Sequence, residues 1–161
     1  MEKKYKRLIS VLVLLILALL VCLTIKTCEQ SEDLPTLPID TNAVDWNGNQ
    51  QLQQVKPVTN GTHISGFKSL VFTANQTAQK VNFVNPAENG DKLFLMFLYV
   101  EDELLWSSGY VPAGSGYYDI ELTRPLDAGS YKGYLKIEVY APDGTQYNGA
   151  RVSFDLTVQE A

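Results

Sequence analysis

The chain has one histidine, His63, and two cysteines, Cys22 and Cys28. A zinc centre needs several imidazole, thiolate or carboxylate ligands in one place. Ser-His-Asp or Cys-His catalysis would have to run through His63 alone. That residue follows Asn60-Gly61-Thr62, a turn sequence, where an exposed loop histidine is the plainer reading. The run Glu101-Asp102-Glu103 invites calcium or a carboxylate pair. Three consecutive carboxylates cannot converge, however, and no Asp-x-Asp-x-Asp-Gly loop surrounds them, so a solvated hairpin tip is expected. An intramolecular isopeptide bond would use Lys68 or Lys80, yet both fall on polar, outward registers. No enzyme activity and no cofactor are expected. What remains is recognition by aromatic surface: Trp106, Tyr110 and Tyr117 form a candidate platform for the apolar faces of sugar rings, with cell-wall glycan as the ligand.

The elements that would hold these residues are strands. From Gly66 onward the hydropathy alternates with period two. Leu70 and Phe72, Val81 and Phe83, Tyr118, Ile120 and Leu122, Leu135, Ile137 and Val139, and Val152, Phe154, Leu156 and Val158 form the apolar registers. Turn formers separate the runs, among them Asn85-Pro86, Asn89-Gly90, Pro142-Asp143-Gly144 and Asn148-Gly149. Adding runs from Lys92 to Glu101 and from Leu104 to Ser108 predicts about seven short antiparallel strands. That number and spacing point to an all-β sandwich of the immunoglobulin-like or fibronectin-III-like kind, with a closed barrel as the other architecture. Asp127-x-Gly129-x-Tyr131 has the spacing of a tyrosine corner leading into the next strand.

One strand breaks the alternation. Leu93 to Val100 is apolar at every position, whereas a strand with one wet face should alternate. Something must cover both sides: the core on one, and on the other either the preceding segment around Trp46 or a second protein. An apolar strip bordered by tyrosines has the composition of an interface core. The candidate partner face is therefore one register of this strand, Phe94, Met96 and Leu98, together with Tyr134 and Tyr140.

Upstream, Leu8 to Ile25 is an 18-residue run without a charge. It is long enough, at 1.5 Å per residue, to cross most of a bilayer core of roughly 30 Å. Residues 1–7 have a net charge of +3 (four basic residues against Glu2), and the chain from Glu29 onward has 8 basic and 17 acidic residues, a net of −9. Cationic flanks remain in the cytoplasm, so the expected organisation is a cytoplasmic tail (1–7), an uncleaved single-pass anchor (8–25), an extracellular tether (26–65) and an extracellular sandwich (66–161). The acidic outer part lacks the basic stripe that nucleic-acid binding requires. Cys28, just beyond the anchor, is expected to be an unpaired thiol. About 36 flexible residues would reach roughly 35 Å, which suits a subunit working close to the membrane.

The chain resembles a group of small membrane-anchored surface proteins of Gram-positive bacteria. The resemblance runs through Leu34-Pro35 to Asn42-Ala43-Val44-Asp45-Trp46, Gln79-Lys80-Val81-Asn82-Phe83-Val84-Asn85-Pro86, Leu105-Trp106-Ser107-Ser108-Gly109, Pro112-Ala113-Gly114, Leu126-Asp127-Ala128-Gly129-Ser130-Tyr131 and Asn148-Gly149-Ala150. It implies an N-terminal anchor, a proline-containing tether and one C-terminal β-sandwich. It implies no catalytic residues. The expected partner is another surface or membrane protein.

Overall fold

The structure, a computed structural model, describes residues 4–5, 37–46 and 61–161. The chain divides into two compact units, Met1–Leu34 and Pro35–Ala161, and the second holds the fold described below. The apolar run 8–25, Cys22 and Cys28 lie outside the described residues. Among those that are described, no helix is long and apolar enough to cross a membrane.

The second unit is all-β. Its strands are β1 (Val44–Asp45), β2 (Ser69–Thr73), β3 (Ala78–Asn85), β4 (Leu93–Val100), β5 (Glu103–Ser107), β6 (Ser115–Glu121), β7 (Gly129–Tyr140) and β8 (Gln146–Gln159). They form a three-stranded sheet in the order β1-β6-β3 and a five-stranded sheet in the order β2-β8-β7-β4-β5. The alternating apolar registers of both sheets meet in one core that includes Phe72, Phe83, Met96, Leu105, Ile137 and Leu156, each at most 3% exposed. The seven runs read from hydropathy correspond to β2 to β8. Pairing is antiparallel except between β2 and β8, which run parallel, so the sandwich is not wholly antiparallel.

Bulges in β3, β8 and β5 decide which side chains face the core. Between Lys80 and Phe83, β3 has one residue more than β6, so Val81 and Asn82 together oppose Tyr118. Downstream of that point Ile120 and Leu122 face inward as the alternation predicts. Past it the register flips, and Tyr117, rather than Tyr118, is buried at 7% exposure. The second bulge lies in β8. Asn148-Gly149, expected as a turn, sits inside the strand opposite Glu138, and a Cβ on Gly149 would stand 2.2 Å from the Ile137 carbonyl oxygen. The turn of this long hairpin is Pro142-Asp143-Gly144, closed by the Ala141 N–H donating to Thr145 O (2.8 Å).

Local chemistry closes the other connections. Glu101 and Asp102 both have positive φ (49° and 65°), which defines the two-residue primed turn joining β4 to β5. The Tyr131 hydroxyl donates to Asp127 O at 3.0 Å, the contact of a tyrosine corner. Asn85-Pro86 and Asn89-Gly90 flank a single 3-10 turn, Ala87–Asn89. Both asparagines are buried there. Asn85 Nδ2 donates to Lys92 O and Val111 O (2.9 Å each), and Asn89 Nδ2 donates to Asn85 Oδ1 (2.7 Å). Asn89 also grips the His63 backbone, accepting from its N–H at 2.7 Å and donating to its carbonyl at 2.8 Å. His63 is thus a half-buried anchoring point for the chain entering the sandwich.

Residues 37–46, in the segment expected to be tether, belong to the fold. Ile39 bridges Tyr110, and Val44 and Asp45 pair with Gly116 and Ser115 as β1. The Trp46 indole donates to Asn82 Oδ1 at 3.1 Å. Trp46 therefore lies against the three-stranded sheet and does not cover β4.

Candidate interaction face

Strand β4 pairs with the central strand β7 in a register that sets Phe94 opposite Val139, Met96 opposite Ile137 and Leu98 opposite Leu135. All three β4 residues are 0% exposed. They are core, because this register meets the three-stranded sheet, and they cannot form a partner face. The expectation that placed them there is corrected: the outward register is Leu95, Phe97 and Tyr99, each half-buried.

That register meets the outward side of β7. Tyr99 lies opposite Tyr134 with ring centroids 4.7 Å apart and planes within 11°. Arg151, on β8, lays its guanidinium 3.4 Å over the far side of the same system, on the Tyr134 ring. Lys136 Nζ stands 5.4 Å from the Phe97 centroid. Tyr140, at the other end of β7, packs edge-on against Tyr110 at 5.4 Å. The result is a ladder of aromatic rings on the outer face of the five-stranded sheet, with two cations resting on it. Of the expected face, Tyr134 and Tyr140 are found here; Tyr110, expected in a sugar platform, joins them.

Glu138 organises the polar part of this face. Its carboxylate pairs with Lys136 at 2.6 Å and accepts from the Tyr140 hydroxyl at 2.8 Å. The hydrogen bonds from Lys136 and Tyr140 hold the Glu138 carboxyl below its usual range. The same hydrogen bond, aided by burial, pushes the Tyr140 hydroxyl up to about 12. Beside Tyr134 lies an open groove of about 550 Å³, in which Lys132 and Arg151 face Asp155 and Asp102. Its charges answer one another (Lys132 with Asp155, Arg151 with Asp102), so it is not a net anion or cation site.

The other two platform residues point elsewhere. Leu105 is an extra residue of β5 between Trp106, opposite Leu98, and Leu104, opposite Tyr99, and this bulge lets both Leu105 and Trp106 turn toward the interior. Trp106 meets Tyr117 edge-on at 4.9 Å and stands 5.8 Å from Phe83. Tyr117 is buried and its hydroxyl donates to Asp40. Trp106, Tyr110 and Tyr117 do not share a face, so they make no flat platform.

The acidic run is a hairpin tip: Glu101 Oε1 accepts from the Lys132 N–H at 2.7 Å and Glu103 pairs with Arg124. Lys80 forms an exposed ion pair with Asp119. Among the described residues no three His, Cys, Asp or Glu side chains converge as metal ligands would. The residues that reasoning from sequence missed are Leu95, Phe97, Tyr99, Lys136 and Arg151. The outward parity of Tyr134 and Tyr140 was readable, as was the neighbouring of β4 and β7, but the register that β4 turns outward was not.

These features define an all-β two-sheet sandwich with an aromatic outer sheet face. Comparison with known proteins returns no matching family model, no similar curated protein and no similar solved structure.

Proposed function

We propose that this chain is a non-enzymatic, single-pass membrane-anchored surface protein. Its immunoglobulin-like extracellular sandwich binds another surface or membrane protein through the outer face of the five-stranded sheet. The observation that supports this reading is the Tyr99–Tyr134 stack with Phe97 and Tyr140 beside it, half-exposed on the central strands. Aromatic and arginine side chains are enriched in interface cores, and they bring large contact area at low entropic cost. The strand order also favours the immunoglobulin-like description, since β4, β7 and β8 lie together as C, F and G do in that fold, and the Tyr131 corner opens the F equivalent.

The charge asymmetry about the apolar run supports the anchor, with the N-terminus cytoplasmic. Docking of residues 37–46 leaves only residues 26–36 between that run and the sandwich. Even fully extended, such a segment spans about 40 Å, so the partner is one that stands near the membrane. The resemblance to Gram-positive surface proteins points to the same setting. Trp106 and Tyr117, turned toward the interior, share no outward platform with Tyr110.

The test uses the full-length chain, recovered from native membranes with chemical crosslinking. Phe97→Glu combined with Tyr134→Ala should abolish a crosslinked partner that the wild type retains, while Lys80→Glu on the opposite sheet should keep it. If both variants behave alike with the fold intact by circular dichroism, the outer face is not the contact. Protease added to intact cells should digest the sandwich; protection would remove the surface location.

A further inference from the structure

Residues 37–46 are held to the sandwich by polar contacts and backbone pairing; Leu37, Ala43 and Trp46 are half-buried, and no side chain of the segment is fully buried. Ile39 and Val44 remain 48% and 49% exposed, and within the segment Ala43 alone packs on the core. The backbone ties are Leu37 N–H to Pro142 O (3.3 Å), Asp40 N–H to Tyr110 O (2.8 Å) and Trp46 N–H to Gly114 O (2.8 Å), beside the short β1–β6 pairing. At the centre is the Asp40 carboxylate. It accepts from the Gly109 N–H at 2.6 Å, from the Asn42 N–H at 2.8 Å and from the Tyr117 hydroxyl. Position 109 is fitted to it: a Cβ there would stand 3.0 Å from Asp40 Cβ and 3.1 Å from Oδ2.

A segment with few buried apolar contacts opens at lower free energy than the core it lies on. We propose that residues 37–46 are a releasable strap, latched by Asp40, whose opening lengthens the connection between the sandwich and the chain before it. With the strap latched, the connection from Lys26 is residues 26–36, at most about 40 Å long. With it released, the next described point held to the sandwich is His63, whose backbone Asn89 still grips. Release thus lengthens the chain between the sandwich and its attachment. What that attachment is rests on the anchor reading above; the latch itself does not.

Hydrogen–deuterium exchange on the full-length chain in detergent micelles tests the latch. The amides of Asp40, Asn42 and Trp46 should exchange at least about tenfold faster than those of Leu135 and Ile137 in β7, yet slower than free chain. Asp40→Asn and Gly109→Ala should each speed strap exchange by about tenfold or more, the loss expected on weakening hydrogen bonds to a charged group, with β7 and β8 protection unchanged. Tyr117→Phe, which keeps the ring in the core, should act in the same direction. Strap amides that exchange only together with β7 would overturn the proposal, as would variants that leave strap exchange unaltered or unfold β7 along with the strap. Strap opening as described in a chain that fails to insert into lipid vesicles would uphold the latch and defeat only the anchor reading.

Discussion

The Tyr117 hydroxyl donates to the Asp40 carboxylate across a sequence separation of 77 residues. Burial works against the charge on Asp40, but the hydrogen bonds from Tyr117, Asn42 and Gly109 outweigh it and hold the carboxyl below its usual range. Burial and the same contact raise the Tyr117 hydroxyl far above the ordinary tyrosine range. One bond thus joins the N-terminal segment to the middle of the three-stranded sheet.

That shift has a signed consequence for pH. A carboxyl whose pKa is depressed on folding contributes stability that is fully present above the unfolded value, 3.8 for Asp40, and is lost as pH falls through the folded value. Trp46 fluorescence, read in a Trp106→Phe background, should therefore show strap release on acidification with a midpoint below 3.8. Asp40→Asn should abolish that step. A release midpoint above 3.8 in the wild type would contradict the assignment.

The two registers of β4 should differ sharply in cost. Phe94→Ala and Met96→Ala remove side chains that are 0% exposed, and each should destabilise by about 2–5 kcal/mol in urea unfolding. Phe97→Ala, on the outer register, should cost less than about 1.5 kcal/mol. Equal costs for both registers would mean that the outer face is closed by something in the same chain.

The buried asparagine pair offers a sharper comparison. Asn85→Ala strips the donor from the Lys92 carbonyl and the acceptor from Asn89 Nδ2, at about 1–3 kcal/mol for each group left unsatisfied, while Val111 O keeps the Phe94 N–H. Asn85→Asp should be worse at neutral pH, since it aims a carboxylate oxygen at the same carbonyls. Thermal unfolding should rank the wild type above Asn85→Ala, and Asn85→Ala above Asn85→Asp.

Gly149→Ala should destabilise the β7–β8 hairpin although the position lies in an exposed stretch of β8. The added methyl would meet a backbone carbonyl at 2.2 Å, so the bulge itself must shift. An altered exchange pattern at Ile137 and Glu138 should accompany a lower Tm. Unchanged stability would show that the bulge is freely rearranged.

Alternation along the chain was enough to place β2, β3, β6, β7 and β8, since a period of two is a local property that each of these strands displays by itself. The Tyr131 corner and the Pro142-Asp143-Gly144 turn were legible for the same reason: donor, acceptor and bend lie within a few residues. Within Leu93–Val100 that signal vanishes, because every residue is apolar and either register would bury equally well. Only pairing with β7, which sets Tyr99 against Tyr134, decides that Phe94, Met96 and Leu98 go inward. Tyr117 and Tyr118 exchanged roles because a bulge in β3, a different strand, shifted their partner by one residue. Asp40 gave no sign of its part, for two of its three donors, Gly109 and Tyr117, lie 69 and 77 positions away, and nothing in the local sequence encodes which distant N–H and O–H groups folding will bring to a carboxylate.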